Sequence, residues 1–457
     1  MRLAMCRWGR LSQLSSQKRL PKRVAVVYIS SMSRLFRFTL LVALCAGWSV
    51  ASQAGNWSSW RGDLAGTGIV RDGELPLTWD TKKNVRWRVP LPDRGNSTPI
   101  VWGDKVFITQ ATESDKQRSV ICFDKKNGAL LWQKGVKYTK PEQTHKTNPY
   151  CSGSPVTDGR VVVANYASAG VAAYDLDGEE LWHRDLGPQE HVWGNGTSPV
   201  LFGDICILYH GPGPNSTLYG LDKLSGRTLW KRQIEEKDDA KRVDGFRGRN
   251  GGINGAFTTP IVVEANGRHE VILSGANILW AFNPEDGGEL WKCSGLNPLV
   301  YTSPVYDGNV VLSMGGYFGA SIAVEPGGKG DVTAKRVWHD PRSKKNRLGT
   351  AVIRNGYAFF ANMSGFAECV DMKTGKVVFE ERLPSTANNA ASWASPILVG
   401  DRVYVTNQSG DTNVFRAGPK FELLATNSVG EYSNSTLAAS DGAIFLRTHK
   451  SLWCIAE

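Results

Sequence analysis

Short apolar runs separated by tight-turn residues fill most of this chain. The stretch from Thr197 to Gln233 shows the unit once. It has an apolar run that ends at the turn Gly203-Asp204, a second run from Ile205 to Tyr209, a third from Leu218 to Asp222, and a fourth that ends at Leu229-Trp230. Runs of this length joined by glycine-containing turns predict a four-stranded antiparallel sheet.

The unit recurs eight times, and each copy starts with a Ser or Thr, usually followed by Pro. The starts are Thr98, Ser154, Ser198, Thr259, Ser303, Thr350, Ser395 and Ser435-Thr436. Most spacings are about 40 to 47 residues, and two longer ones, 56 and 61, indicate inserted loops. A two-residue turn containing Gly follows each start, where positive φ angles are expected. A period of this size is typical of β-propeller blades.

A large ring ends the fourth strand of most units. The residues at this place are Trp132, Trp182, Trp230, Trp291, Trp338 and Phe379. Their spacing follows the repeat rather than any site, so we predict that they fill the wedge between adjacent sheets.

The two ends of the repeat region complement each other. The last unit stops at Glu457 after its third strand, Leu452 to Ala456, whereas Val85 to Val89 is a fourth strand without a sheet of its own. Pairing the two would remove two exposed sheet edges. We therefore predict an all-β, eight-bladed propeller over residues 98–457, preceded by a lead-in segment, residues 55–97, whose strand 85–89 completes the last blade.

These features together resemble a known family. The turns in GLDKLSGRTLW and CVDMKTGKVVF, the Ser/Thr-Pro starts and the Trp-rich segment GNWSSWRGDLAGTG are similar to the pyrroloquinoline-quinone-like (PQQ-like) propeller repeat, over about residues 56–457. The resemblance implies the propeller fold. The family includes quinoprotein dehydrogenases, the propeller lipoprotein of outer-membrane barrel assembly, and exported bacterial proteins that have only the repeats.

The basic charge of the chain is concentrated in its first 54 residues. The formal net charge is +11, but residues 1–54 contain nine Lys and Arg and no Asp or Glu, and so account for +9. The remaining +2 is too small for a nucleic-acid-binding surface. We expect no nucleic-acid partner.

The leader has the organisation of a signal peptide. Arg34 and Arg37 precede the apolar run Phe38 to Trp48, and small residues follow. This pattern predicts a signal peptide over residues 32–54, after an over-extended start or basic extension at 1–31. We expect an exported, periplasmic or envelope-associated protein with no transmembrane segment after cleavage. Leu44 gives little support for lipidation at Cys45, since a lipoprotein-type site favours a small residue there.

The connectors between blades contain the residues that could bind a ligand. In a propeller these connectors meet on one face, around the central channel, and loops on a rigid scaffold often carry binding groups. Amide, imidazole and aromatic side chains there suit a polar, neutral ligand or a peptide. The candidates are His145, His191, Trp193, Asn195, Arg247, Asn254, Tyr301, Asn389, Trp393 and Tyr432. The alternative is that the asparagines cap turns and the aromatic rings pack on neighbouring loops.

The sequence favours a binding or scaffold protein over an enzyme. Its partner would be an envelope protein or peptide, or a small polar molecule, and no cofactor or metal is required. The alternative is a quinoprotein dehydrogenase of alcohols or sugars that uses PQQ and calcium. The family resemblance associates that activity with an adjacent Cys-Cys pair and calcium-binding carboxylates, and the chain has neither an adjacent cysteine pair nor connector carboxylates at metal-ligand spacing.

Overall fold

Eight antiparallel sheets surround one axis in the computed structural model of this protein, which describes residues 55–236, 254–316, 319–341, 346–387 and 390–457. Each sheet is a blade built on four strands, counted from the innermost to the outermost, and these follow chain order in blades 1 to 7. The predicted all-β, eight-bladed propeller is confirmed. The leader, including Cys45, and the candidates Arg247 and Asn389 lie outside the described residues.

The first four blades occupy the N-terminal half of the repeat region. Blade 1 contains Ile100–Trp102, Lys105–Thr112, Gln117–Asp124 and Leu130–Lys137. Blade 2 contains Val156–Thr157, Val162–Asn165, Val171–Tyr174 and Glu180–Arg184. Blade 3 contains Val200–Phe202, Ile205–His210, Thr217–Asp222 and Thr228–Gln233. Blade 4 contains Ile261–Ala265, Arg268–Ser274, Ile278–Phe282 and Glu289–Ser294, with Gly330–Asp331 added at its outer edge.

The other four blades continue the same order. Blade 5 contains Val305–Tyr306, Val311–Met314, Ser321–Val324 and Trp338–Asp340. Blade 6 contains Val352–Arg354, Tyr357–Ala361, Phe366–Asp371 and Val377–Arg382. Blade 7 contains Ile397–Val399, Arg402–Thr406, Asp411–Arg416 and Leu423–Ser428. Blade 8 contains Ala438–Ser440, Ala443–Arg447, Ser451–Ile455 and, from the lead-in segment, Val85–Pro90.

Shorter elements lie between the blades. Gly255–Ala256 pairs in parallel with Leu299–Val300, and Ile69–Val70 pairs in parallel with the first strand of blade 7. Single 3-10 turns cover Ala167–Ala169 and Thr333–Lys335.

The closure predicted between the chain ends is present. The strand Val85–Pro90 runs antiparallel to Ser451–Ile455, with Trp87 opposite Cys454 and Val89 opposite Leu452. The only terminal strand that lacked a partner in the repeat pattern is thereby paired, and the ring of blades has no open seam.

The rings at the ends of the fourth strands form the contacts between blades. Trp182 of blade 2 packs on Gly226 of blade 3 and donates its indole N–H to the carbonyl of Lys223 at 2.9 Å. Gly226 has a φ of +68°, and a Cβ there would lie 2.6 Å from the ring, so this turn requires glycine. Trp132, Trp230, Trp338 and Trp87 make the same contact with the next blade. The predicted wedge-filling role is confirmed for Trp132, Trp182, Trp230 and Trp338.

Trp291 departs from this pattern. Its indole N–H donates to a carboxylate oxygen of Glu270, in its own blade, at 2.7 Å. The reason is the connection between the third and fourth strands of blade 5, from Val324 to Trp338, which is an insertion rather than a tight turn. The backbone N–H of Gly327 in that insertion donates to the same carboxylate at 3.1 Å.

The lead-in segment crosses the inner strands of four blades at one repeat position. Its backbone bonds to Val101, Thr157, Val262 and Leu398, each of which stands three residues after its blade start. Between these contacts the guanidinium of Arg61 is fully buried. It donates to the carbonyls of Gly66, Thr67, Thr350, Ala351 and Pro396 at 2.7 to 3.1 Å. The segment therefore closes one end of the central channel.

Candidate functional site

A ring of hydroxyl groups surrounds the channel where the blades begin. From blade 1 to blade 7, the backbone N–H of each blade start donates to the side-chain oxygen of the next start, at 2.8 to 3.1 Å. The acceptors are Ser154, Ser198, Thr259, Ser303, Thr350, Ser395 and Thr436. This bond explains why every unit begins with Ser or Thr, since only a short hydroxyl side chain reaches the neighbouring backbone.

A second layer lies two residues before each start, nearer the connector face. Its members differ from blade to blade. On blades 4 to 7 they are Phe257, Tyr301, Leu348 and Trp393, and on blades 8 and 1 to 3 they are Asn434, Asn96, Ser152 and Gly196. The channel mouth is therefore apolar on one side and polar on the other.

The apolar side continues into a stack of rings. Phe257 and Tyr301 are stacked with centroids 5.5 Å apart and planes within 5°. Trp193, from the connector before blade 3, stacks on both, at 6.5 Å from Phe257 and 5.9 Å from Tyr301. Trp193 lies beside Gly196, whose lack of a side chain leaves the second layer open at blade 3.

The polar side is held together by its own hydrogen bonds. The amides of Asn96 and Asn434 both donate to the carbonyl of Thr147, at 2.9 and 3.2 Å. The amide of Asn148 donates to the carbonyls of Trp193 and Asn195, at 2.7 and 3.1 Å. These asparagines tie neighbouring connectors together, so their donors are used within the protein.

The two layers and the lead-in segment enclose a blind cavity of about 350 Å³. Trp60 of the lead-in segment contributes to its lining, and all eight blade starts do so as well. None of the described lining residues is Asp, Glu, Lys or Arg, and His145 contributes an imidazole ring. The cavity thus offers aromatic surface, hydroxyls and amides, and little formal charge.

Four of the predicted site residues line this cavity: His145, Trp193, Tyr301 and Trp393. The Nε1 of Trp393 is buried and has no hydrogen-bond partner among the described residues. His145 is held by Thr147, whose hydroxyl lies 2.7 Å from its Nδ1.

Four other predicted residues lie behind the lining. His191 bonds through Nε2 to the carbonyl of Asn254 at 3.1 Å and packs edge-on against Phe257, and its burial lowers the pKa of the imidazole. The amides of Asn195 and Asn254 donate to the carbonyls of Gly211 and Glu236. The hydroxyl of Tyr432 accepts from Gln408 and Asn434, at 2.7 and 3.2 Å. These residues support the connectors that carry the lining.

Sequence reasoning missed three groups: the hydroxyl ring, Phe257 and Trp60. A signal for two of them was present. Reading the residue two before each start gives the second layer, including Phe257, and the constant Ser or Thr at each start gives the ring. Nothing in the local sequence of Trp60 indicates that the lead-in segment crosses the channel.

The described ranges contain neither a metal-binding cluster nor a membrane-spanning helix. No three His, Cys, Asp or Glu side chains meet there in an arrangement that could hold a metal ion. In the same part of the chain, no helix has both the length and the apolar character needed to cross a membrane.

Comparison with known proteins identifies the repeats. The family profile described as outer membrane protein assembly factor BamB matches residues 47–210 and 214–457. A polyvinylalcohol dehydrogenase from a Pseudomonas species is 22% identical over 402 residues, which covers 74% of this chain and 59% of that protein. A BamB from Alkalilimnicola ehrlichii is 23% identical over 235 residues, which covers 51% of this chain and 52% of that protein. The matches thus span little more than half the length of these relatives.

A solved structure shows the same architecture. The quinohemoprotein alcohol dehydrogenase from Comamonas testosteroni superposes with a TM-score of 0.62 at 13% identity, covering 89% of this chain and 81% of that one. At this identity the likeness establishes the fold alone.

Proposed function

This chain belongs to the propeller family described as outer membrane protein assembly factor BamB, and on that premise we propose that it is an exported binding or scaffold protein of the cell envelope. Its ligand, a segment of an envelope protein or a small polar molecule, enters the blind channel from the connector face. The observation that carries the proposal is the lining, which is aromatic on one side and polar on the other, with no Asp, Glu, Lys or Arg among its described members.

The channel has the physical character of a binding site rather than of a packing defect. A cavity of about 350 Å³ is within the range of small-molecule sites and accepts a sugar ring or a few residues of a peptide. The stacked rings of Trp193, Phe257 and Tyr301 present a preformed apolar surface. Aromatic side chains of this kind give large contact area at little cost in conformational entropy.

The relatives support two functions to different degrees. The BamB name supports a protein partner in the envelope, which agrees with the signal peptide predicted at residues 32–54. The dehydrogenase names support a quinoprotein enzyme. The second function depends on whether this channel suits the PQQ and calcium of such enzymes.

The described residues do not fit that cofactor pair. Calcium takes six to eight oxygen ligands, of which carboxylates are the strongest. The described lining has no carboxylate, and no two cysteines are adjacent in the sequence to form the disulfide expected over the quinone. The lining therefore supports the binding of a ligand rather than quinone chemistry.

The aromatic wall can be tested by the double substitution Trp193→Ala with Trp393→Ala. We expect it to weaken binding of blocked neutral tetrapeptides or methyl glycosides about tenfold or more, because the apolar side of the channel is lost. Calorimetric titration measures the affinity, and thermal melting measures the fold. Val192→Ala is the matched control, since Val192 adjoins Trp193 but is 45% exposed and outside the lining. A loss of melting temperature in step with the loss of affinity would assign both rings to packing.

The enzymatic alternative has its own test. After incubation with PQQ and calcium, the protein is expected to show no dye reduction with alcohols, sugars or poly(vinyl alcohol). Retained quinone together with substrate-dependent dye reduction would replace the binding proposal by a quinoprotein dehydrogenase.

A further inference from the structure

The hydroxyl ring at the base of the channel consists of hydrogen-bond donors whose protons are unused. Seven of its oxygens accept a backbone N–H from the neighbouring blade, which leaves each O–H proton to be donated elsewhere. All eight side chains belong to residues that are only 1% to 6% exposed, and none of them donates to an acceptor among the described residues. A buried hydroxyl normally finds a partner.

Two donors in one sector of the ring have no described partner at all. The hydroxyl of Thr98, at the start of blade 1, makes no hydrogen bond among the described residues but lines the cavity. The buried indole N–H of Trp393, before blade 7, is also without a described partner. Only blade 8 separates them, and the amides of Asn434 and Asn96 in this sector are used on Thr147. Thr98 and Trp393 thus bring two donors without a described partner to the same side of the channel.

Two buried cations flank the same sector. Arg61 bonds to backbone carbonyls of blade starts 6 and 7. Arg447 of blade 8 donates to the hydroxyl of Ser97, to the carbonyl of Thr109 at 2.6 Å, and to Gln110 at 2.7 Å. Burial lowers the pKa of each guanidinium to about 9, so both remain protonated at neutral pH.

Neither of these arginines forms a direct ion pair with a carboxylate among the described residues, although the charge of Asp63 partly offsets the lowering of the Arg61 pKa by burial. Other buried arginines do form such pairs. Arg347, for example, pairs with Glu368 at 2.8 Å. A buried positive charge without a counter-ion is costly, and a nearby anion offsets part of that cost. Arg61 and Arg447 lie beside the base of the channel, because the groups they bond belong to the blade starts or adjoin them.

We propose that the base of the channel binds a carboxylate group, held by the hydroxyl of Thr98 and the indole N–H of Trp393 in the field of Arg61 and Arg447. The ring or chain that bears the carboxylate lies across the channel, against Phe257 and Tyr301 of blades 4 and 5. This inference rests on the channel being a binding site, as proposed above, and adds the chemistry of its ligand: an acid with an apolar or aromatic body. A small organic acid and the carboxyl end of a peptide share this chemistry.

The test compares an acid with its amide. Hippurate carries an aromatic ring and a carboxylate, and hippuramide is the same molecule without the charge. We expect calorimetry to show that hippurate binds about tenfold more tightly or better, since hydrogen bonds to a charged group are stronger than those to a neutral one.

Two variants then remove the donors singly. Thr98→Val and Trp393→Phe each delete one donor without deleting a described hydrogen bond, so the melting temperature should stay unchanged while hippurate affinity falls about three- to tenfold. Thr98→Ser, which restores the hydroxyl, should restore the affinity. If hippurate and hippuramide bind equally, or if both variants bind hippurate as the parent does, the carboxylate site is wrong.

The results of these titrations distinguish the carboxylate site from the broader proposal that the channel binds a ligand. Binding of neutral tetrapeptides or glycosides without preference for the acid would overturn the carboxylate site and leave channel binding intact. Absence of binding by every probe would overturn both. A tetrapeptide with a free carboxyl end, compared with its amidated form, identifies the source: preference for the free peptide over hippurate assigns the site to a chain terminus, and the reverse preference assigns it to a small acid.

Discussion

Replacing Arg61 by methionine is expected to lower the free energy of unfolding by about 3 to 5 kcal/mol, the range for breaking a buried hydrogen-bond network. Methionine fills much of the volume but donates no hydrogen bond. The five carbonyls that Arg61 satisfies come from the lead-in segment and from blades 6 and 7. Each of them would be left buried without its donor, at about 1 to 3 kcal/mol apiece before the structure relaxes.

Denaturant unfolding measures this loss of free energy. Two further variants test whether the loss comes from the hydrogen bonds of Arg61. Arg71→Met is the matched control, because Arg71 is exposed and its ion pair with Asp63 at 3.1 Å is worth less than about 1 kcal/mol. Arg61→Lys keeps the charge but offers only three donors from a single nitrogen, so it should recover only part of the stability. Equal unfolding midpoints for Arg61→Met and Arg71→Met would show that Arg61 does not anchor the lead-in segment.

Replacing Trp87 by alanine is expected to cost about 3 to 5 kcal/mol, the range for deleting a large buried ring. Trp87 is 8% exposed, packs on Gly128 of blade 1, and donates its indole N–H to the carbonyl of Lys125 at 2.9 Å. Its ring centroid also lies 5.9 Å from that of Phe445. The residue thus joins the closing strand both to the rest of blade 8 and to blade 1.

Trp87→Phe is the control for the ring itself. It keeps most of the apolar contact and loses one hydrogen bond, so we expect the free energy of unfolding to fall by about 1 kcal/mol.

Trp182→Ala removes an equivalent ring, 7% exposed, from a blade whose strands are consecutive in the chain. If the closing strand is the point where the propeller opens, amide hydrogen exchange in Ser451–Ile455 should accelerate in Trp87→Ala and not in Trp182→Ala. Acceleration in both or in neither would place the opening elsewhere.

The repeat made the fold predictable, because its signals are local. Apolar alternation, the Gly-containing turns and the terminal rings act within a few residues, and eight copies at a constant period reinforce one another. The structure has positive φ at the predicted turns, for example +56° at Gly203 and +71° at Gly442. The closure by strand 85–89 also followed from counting strands, since a sheet edge needs a partner.

The site was predictable only in part. The connectors could be located, and Trp193, Tyr301, Trp393 and His145 do line the channel. The roles of the asparagines could not be inferred, because their partners lie on other connectors. The amide of Asn434, for instance, reaches the carbonyl of Thr147, 287 residues away. Side-chain identity alone does not distinguish an amide that faces a ligand from one that ties two loops.

The sequence by itself determined the blade, the number of blades and the strand that joins the ends, because each rests on contacts between neighbours in the chain or on a repeated pattern. Only the tertiary structure decided that the start of each blade contributes a hydroxyl to one ring, that the lead-in segment closes the channel, and that Arg61 and Arg447 lie buried beside it. These arrangements depend on the angle and distance between blades far apart in sequence. The channel's chemistry is therefore a property of the closed ring rather than of any one repeat.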